Sequence, residues 1–485
     1  MNMKRIASYI IMGIAAVSLA SCDGFLDKAP KLSQSTDLTL STYDGLNKSV
    51  LGAYEYLAST GWYGGERVLE SEMRSGNGIK HADHNSNRYM TNMNWNYTAD
   101  ATSSMWAYGY ITIARCNNVI DNLEGKETSD VTAQDLNNLK AEALFLRALC
   151  HFDMVTLYAQ PYTYVKNNAN ALTDVQKLGI PYVIHTDPDA RPARDGVLDV
   201  YAKIADDLVE AEKVISPKYS RAGVADPKAA ANIYAIQALL SRVYLYMGEW
   251  QKAADYATKV IDSGAFSLWE AKDYVDAWTA DKGGSEVIFE VYIDLTNYSN
   301  EDCSYMTFPD GAYGDCITSP ALYALYEDGD IRKDTYIQDK NETAGLWWTT
   351  KYKGKGLSTP DASNTVVLRL SEMYLNRAEA IVNGAAIPGV TASADLNAIT
   401  SKRGATAYPA SVGHDAYRTE RRKELAWEGH YFFDLARWGQ SVTRDMCYGL
   451  TADRANIAFP GFRWALPIPK RELEVNENLV QNDQF

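Results

Sequence analysis

Apolar residues recur at helical spacing in several separate stretches of the chain. From Asn138 to Tyr158, Leu139, Ala143, Leu146, Leu149, Phe152 and Val155 form one stripe, which predicts a long amphipathic helix closed by Gln160-Pro161. Shorter helices are predicted near Leu46 to Ser59 and from about Val197 to Ile215, the latter stopped by Pro217. Between Ala235 and Gly264 two apolar-periodic helices meet at Gly248-Glu249-Trp250, with Tyr244 facing the turn and the small residues Ala253 and Ala257 permitting close approach. This is the pattern of a tetratricopeptide hairpin, and Arg369 to Gly384 reads as the first helix of another. One hairpin cannot bury its own apolar face, so several should stack. The predicted fold class is mainly α: a tetratricopeptide-like α-solenoid of stacked helix pairs, interrupted by long irregular, strand-poor insertions.

Those insertions have a different texture. Residues 60–110 and 285–365 are rich in Gly, Asn, Ser, Thr, Tyr and Trp and lack helical periodicity, with only short strand-like runs such as Glu286 to Tyr292. Loops of that length inside a compact chain usually carry function. Composition sharpens the point, since 33 Tyr and 11 Trp stand against 11 Phe. Aromatics with a polar handle suit surfaces where one end of the ring stays wet.

The N-terminus carries Lys4 and Arg5 followed by an apolar stretch, Ile6 to Ala20, too short to span a bilayer as a stable helix. It reads as a secretory signal over residues 1–21, and Leu19-Ala20-Ser21-Cys22 resembles a bacterial lipobox in which Cys22 is acylated after cleavage. A lipidated spacer, 22–45, would then lead into a single domain, 46–485, with helical repeats at about 46–60, 110–160, 197–265 and 368–440 and binding loops at about 60–105 and 285–365. Five cysteines follow Cys22; Cys303 and Cys316 are spaced so that a bridge between them stays open. The net charge of −15, from 47 Lys+Arg and 62 Asp+Glu, opposes binding to nucleic acid or an anionic lipid surface.

A set of short motifs runs through the chain in order: Lys140-Ala141-Glu142-Ala143-Leu144-Phe145-Leu146-Arg147-Ala148, Gly179-Ile180-Pro181-Tyr182, Arg194-Asp195-Gly196-Val197 and Asp206-Asp207-Leu208. Then come Arg369-Leu370-Ser371-Glu372-Met373-Tyr374-Leu375 and the run Glu420 to His430, with Phe433-Asp434-Leu435, Arg437-Trp438-Gly439, Leu466-Pro467-Ile468-Pro469 and Gln481-Asn482. With the lipobox, this ordered set resembles the SusD/RagB family of surface nutrient-binding lipoproteins of Bacteroidetes. Tyr431 departs from the family, which often has Arg there, and Leu396 to Gly404 is a shortened version of a longer family helix.

The resemblance implies an outer-membrane, lipid-anchored protein that captures a glycan and passes it to a SusC-type TonB-dependent transporter, over which it sits as a hinged lid. It also implies a shallow aromatic surface, for a physical reason: a pyranose has an apolar face that stacks on Trp or Tyr and hydroxyls that need polar partners. Two regions supply both. The first holds Trp62, Tyr63, Arg74, Asn77, His81, His84, Asn85, Tyr89 and Trp95, in the stretch where relatives contact ligand. The second holds Tyr292, Tyr298, Tyr305 and Tyr313, with Trp347 and Trp348 beyond. Trp106 is assigned to the core, because it opens the family helix that runs to Asn117 and Asn118.

Other chemistries fit less well. Asp83, Asn85 and Asn87 begin like a calcium loop and His81-x-x-His84 has a metal-ligand spacing, but Arg88 stands where that loop needs Gly and Asn94 where it needs Glu. No phosphate loop, H-E-x-x-H or G-x-S-x-G motif occurs, and no cofactor is expected. Glu424, Glu428, His430 and Asp434 could be drawn as acid and base; their helical spacing to Arg421 and Arg422 predicts an ion-pair network instead. The protein is therefore read as a binder and not an enzyme. A peptide-binding member of the family is one alternative, and a glycoside hydrolase is another.

Overall fold

The computed structural model describes residues 36–100, 104–294, 302–309, 313–340, 345–355 and 362–485. Cys22, the signal segment and Tyr298 lie outside the described residues. The longest helices run in chain order as α1 (Tyr43–Leu57), α2 (Glu66–Ser75), α3 (Met105–Asp121), α4 (Ala133–Tyr158), α5 (Val197–Val214), α6 (Ile233–Met247), α7 (Trp250–Asp262), α8 (Leu370–Val382), α9 (Ala392–Arg403), α10 (His414–Glu424) and α11 (Tyr431–Trp438).

Most of these pack on their neighbours in sequence. α1 lies on α3, α3 on α4, α4 on α5, α5 on α6, α6 on α7, α7 on α8 and α8 on α9. That succession is the predicted stack of helix pairs, each covering the stripe the previous one leaves exposed. α4 is the axis. A capping box between Thr132 and Asp135 opens it, and from Leu139 onward nearly every residue is buried between α3 and α5. Arg147 on α4 ties α5 down through a two-pronged contact with Asp207, 2.7 Å at each nitrogen. The α6–α7 turn needs the left-handed φ of 69° that Gly248 adopts, and Ser241 donates across the pair to the Ala253 carbonyl at 3.0 Å. The closing Gln481-Asn482 motif is structural as well: Asn482 accepts from Arg194 at 2.8 Å and donates to the Tyr158 and Leu466 carbonyls.

The insertions fold into a small antiparallel sheet, in the order β1 (Gly78–Lys80), β3 (Cys316–Thr318), β5 (Trp347–Thr349), β4 (Tyr336–Gln338). A separate ribbon pairs β2 (Val287–Val291) with β6 (Thr365–Arg369), which leads straight into α8. Among the described residues no disulfide is formed, and Cys303 and Cys316 sit as thiols in one apolar cluster with Met306 and Trp427.

Where α8, α9 and α10 meet β2 and β6, charge is buried on a large scale. Arg332 contacts Asp330, Glu420 and Glu424; Arg369 contacts Glu286, Glu424 and Glu428; Arg403 contacts Glu286 and Glu424. Lys351 pairs with Glu428, and Lys423 with Asp330. Burial alone would raise the Glu424 carboxyl, yet Arg403, Arg369 and Arg332 together hold it well below the usual carboxylate range. A second knot joins Asp434 and Glu379 to Arg421 and Arg437. The acidic residues that invite a catalytic reading are thus spent inside the protein, and burial beside Arg242 and Arg421 keeps His430 neutral well below its ordinary value.

Candidate functional site

Helix α2 ends at Gly76 in the left-handed conformation, and the chain turns at once into β1. The loop that follows, residues 81–89, is pinned from both sides. His81 bonds Asp339 at 2.9 Å through Nε2, while Nδ1 accepts from the backbone N–H groups of Asp83 and His84. Asp315, just before β3, accepts from the backbone and hydroxyl of Ser86 at 2.7 Å and pairs with the buried ammonium of Lys80. Both His81 nitrogens are therefore occupied in shaping the loop.

Strand parity sorts the aromatics above this frame. Ile79, Ile317 and Trp348 point to one face, where Trp348 is buried, donates to the Gly314 carbonyl at 2.8 Å and stacks under His81 at 5.3 Å. His84, partly exposed, stands edge-on to both rings. Tyr313 is 44% exposed, with the Arg88 guanidinium 4.2 Å over its ring and Tyr305 at 6.5 Å. Asn87 and Tyr89, either side of Arg88, both hold positive φ, 63° and 59°. Such strain persists only where the surroundings impose it. Trp347, one residue from Trp348, points the other way and lies flat on Tyr323, with centroids 3.8 Å apart and planes at 12°. Both rings of that pair are partly exposed.

Several of the positions expected to meet a ligand are in the core. Trp62 and Tyr63 both donate to Asp153 on α4, which also holds Arg67 at 3.0 Å. Arg74 is fully buried, its guanidinium 3.8 Å from the Phe432 ring and donating to the Trp464 carbonyl. Asn77 links Arg422 to Glu72. Trp95 donates to the Arg74 carbonyl and packs edge-on to Trp464 and Phe432. With His81 and Trp348, these seven are corrections to the sequence reading: all are buried, and Trp62, Tyr63, Trp95 and Trp348 spend their polar handles inward, so their ring faces are not available to a ligand. Trp106 is buried as assigned. Asn85 shapes its own turn, accepting from the Asn87 backbone.

What remains accessible of the predicted set is His84, Asn85, Tyr89, Tyr305, Tyr313 and Trp347 around the sheet, and Tyr292 elsewhere, in a cleft beside β2. Two partners were missing from the reading. Arg88 had counted only against a calcium loop, and Tyr323 carries no local signal, because it meets Trp347 only once β5 is in register.

The chain matches two family models, one described as "Starch-binding associating with outer membrane" over residues 24–245 and the other as the SusD family over residues 328–485. Both lie in the order the motifs require. The chain belongs to the SusD/RagB family. A solved SusD superfamily protein of Bacteroides thetaiotaomicron is 29% identical, with a TM-score of 0.80 over 91% of this chain and all of that one. SusD-like protein P25 of Formosa agariphila is 22% identical, over 99% of this chain and 98% of the relative. The starch-binding protein SusD of B. thetaiotaomicron is 22% identical over 99% of each. The mainly-α SusD-like architecture follows from these likenesses and from the helix stack. Among the described residues, no helix is long and apolar enough to cross a membrane.

Proposed function

We propose that this SusD-family protein is a cell-surface lipoprotein that captures an oligosaccharide and delivers it to a SusC-type TonB-dependent transporter. The observation that carries the reading is the pair of half-exposed aromatic platforms on the sheet loops, Tyr313 beneath Arg88 and Trp347 on Tyr323. Each exposes part of an aromatic ring on which the apolar face of a sugar can stack, and the Arg88 guanidinium lies over the first. Relatives that match this chain along nearly its whole length include one named for starch binding, which supports a glycan as the ligand class. The lipobox at Cys22 supports anchoring by acyl chains. The carboxylates of the Glu420–Asp434 region are committed to arginine and lysine, which favours capture without bond cleavage. The test is a calorimetric screen of the mature protein against glycans and mixed peptides, repeated with Tyr313→Ala and Trp347→Ala. Glycan binding weakened by either substitution supports the proposal; binding of peptides alone overturns it.

A further inference from the structure

Away from the sheet loops, α1, α3 and β2 enclose a cleft of about 690 Å3, within the range of small-ligand sites. It shares no lining residue with the surface around Tyr313 and Trp347. Its floor is apolar, built where the Tyr54 ring tilts against Phe289 at 6.3 Å. The Tyr54 hydroxyl is spent inward, donating to Glu142 and accepting from the Ala231 backbone, each at 2.8 Å.

The rim is built differently. Tyr56 and Tyr108 stand 5.9 Å apart, and the Arg115 guanidinium lies 4.5 Å over the Tyr56 ring. Among the described residues, neither of these two hydroxyls, nor the Arg115 guanidinium, nor the exposed carboxylate of Glu55 on the same rim has a hydrogen-bond or ion-pair partner. Gly52 explains how Arg115 is seated. It lies inside α1, where glycine weakens a helix relative to alanine, and a Cβ there would overlap the terminal nitrogen of Arg115. A side chain at this position would displace that guanidinium.

We propose that this cleft is a second carbohydrate-binding site, in which a neutral sugar ring rests on the tyrosines while Arg115 and Glu55 take its hydroxyls. A guanidinium fork matches two adjacent hydroxyl oxygens, and a carboxylate accepts two O–H groups. The exposed carboxylate of Glu55 on the same rim disfavours an anion. The inference rests on the proposed glycan function, so the test separates the two.

The mature lipoprotein, in detergent, is titrated by calorimetry with laminarihexaose, maltohexaose, cellohexaose, xylohexaose and mannohexaose. Arg115→Ala, Gly52→Ala and the double variant Tyr313→Ala/Trp347→Ala are titrated in parallel. The expected result is that a hexaose retains binding to the sheet-loop double variant, and that Arg115→Ala weakens this remaining affinity about tenfold or more. Gly52→Ala, which should melt no lower than the parent, weakens it as well; a merely structural role for Gly52 would leave affinity intact. Binding abolished by the sheet-loop changes, or indifferent to both cleft changes, overturns the second site and leaves the first standing. Failure of the whole panel on the parent protein overturns both.

Discussion

Replacing Glu424 by Gln keeps the size of the side chain and removes one buried charge, which makes it a direct probe of what the Glu420–His430 run does. Five cationic side chains, Arg332, Arg369, Arg403, Lys351 and Lys423, face five carboxylates, Glu286, Glu420, Glu424, Glu428 and Asp330, in a cluster closed to solvent. Glu424 alone accepts from three arginines, at 2.7 Å from Arg369, 2.8 Å from Arg403 and 2.9 Å from Arg332. The amide leaves one positive charge uncompensated and puts an N–H group against donors. Breaking a buried pair by removing one partner costs roughly 3–5 kcal/mol, a large part of the 5–15 kcal/mol that typically separates folded from unfolded chains. Urea unfolding followed by tryptophan fluorescence should show an unfolding free energy lowered by that amount in Glu424→Gln, while Lys48→Ala, which breaks an exposed Lys48–Asp44 pair, leaves it where it was. A loss below about 1 kcal/mol, or a variant of parental stability that has lost ligand binding, would refute the structural reading of this run.

Trp95→Ala should cost roughly 3–5 kcal/mol of stability, as large core truncations do, and leave glycan affinity unchanged wherever the variant is folded; reduced affinity at unchanged stability would return Trp95 to the binding surface. His151 is buried and fixed in one tautomer: Nδ1 must carry the proton it gives to the Arg147 carbonyl, and Nε2 accepts from the Val183 backbone. Burial pushes its pKa down to about 3 from 6.5, so between those values the unfolded chain binds the proton and the folded one does not. The stability this group contributes is present above pH 6.5 and is lost as pH falls toward 3, by up to about 5 kcal/mol across the window. Urea midpoints measured from pH 7 down to 4 should fall more steeply for the parent than for His151→Gln, and parallel slopes would remove His151 as the cause.

The helix stack was readable because its elements announce themselves chemically. α5 and α7 each keep a wet side, and Gly248 marks the turn between α6 and α7. Helix α2 had no such signal. Every residue from Arg67 to Ser75 is buried, including Arg67, Glu70, Glu72 and Arg74, and so polar a stretch looks like a solvated loop in sequence. The same misreading moved Trp62, Tyr63, Arg74 and Trp95 to the surface: residues with polar handles look wet in sequence, and only the fold brings Asp153 and the Arg74 carbonyl to meet them. Trp347 and Trp348 were indistinguishable until β5 fixed their parity. Arg88 came into view beside the proposed platform only when the 81–89 loop folded against Tyr313.

The most direct test of the account is calorimetric titration of the mature protein with a panel of oligosaccharides, set beside Trp347→Ala and Tyr313→Ala. The account predicts that at least one glycan binds and that one or both substitutions weaken it about tenfold or more, with melting temperatures close to the parent because both rings are partly exposed. A glycan affinity indifferent to both substitutions would contradict the platform on which the proposed function rests.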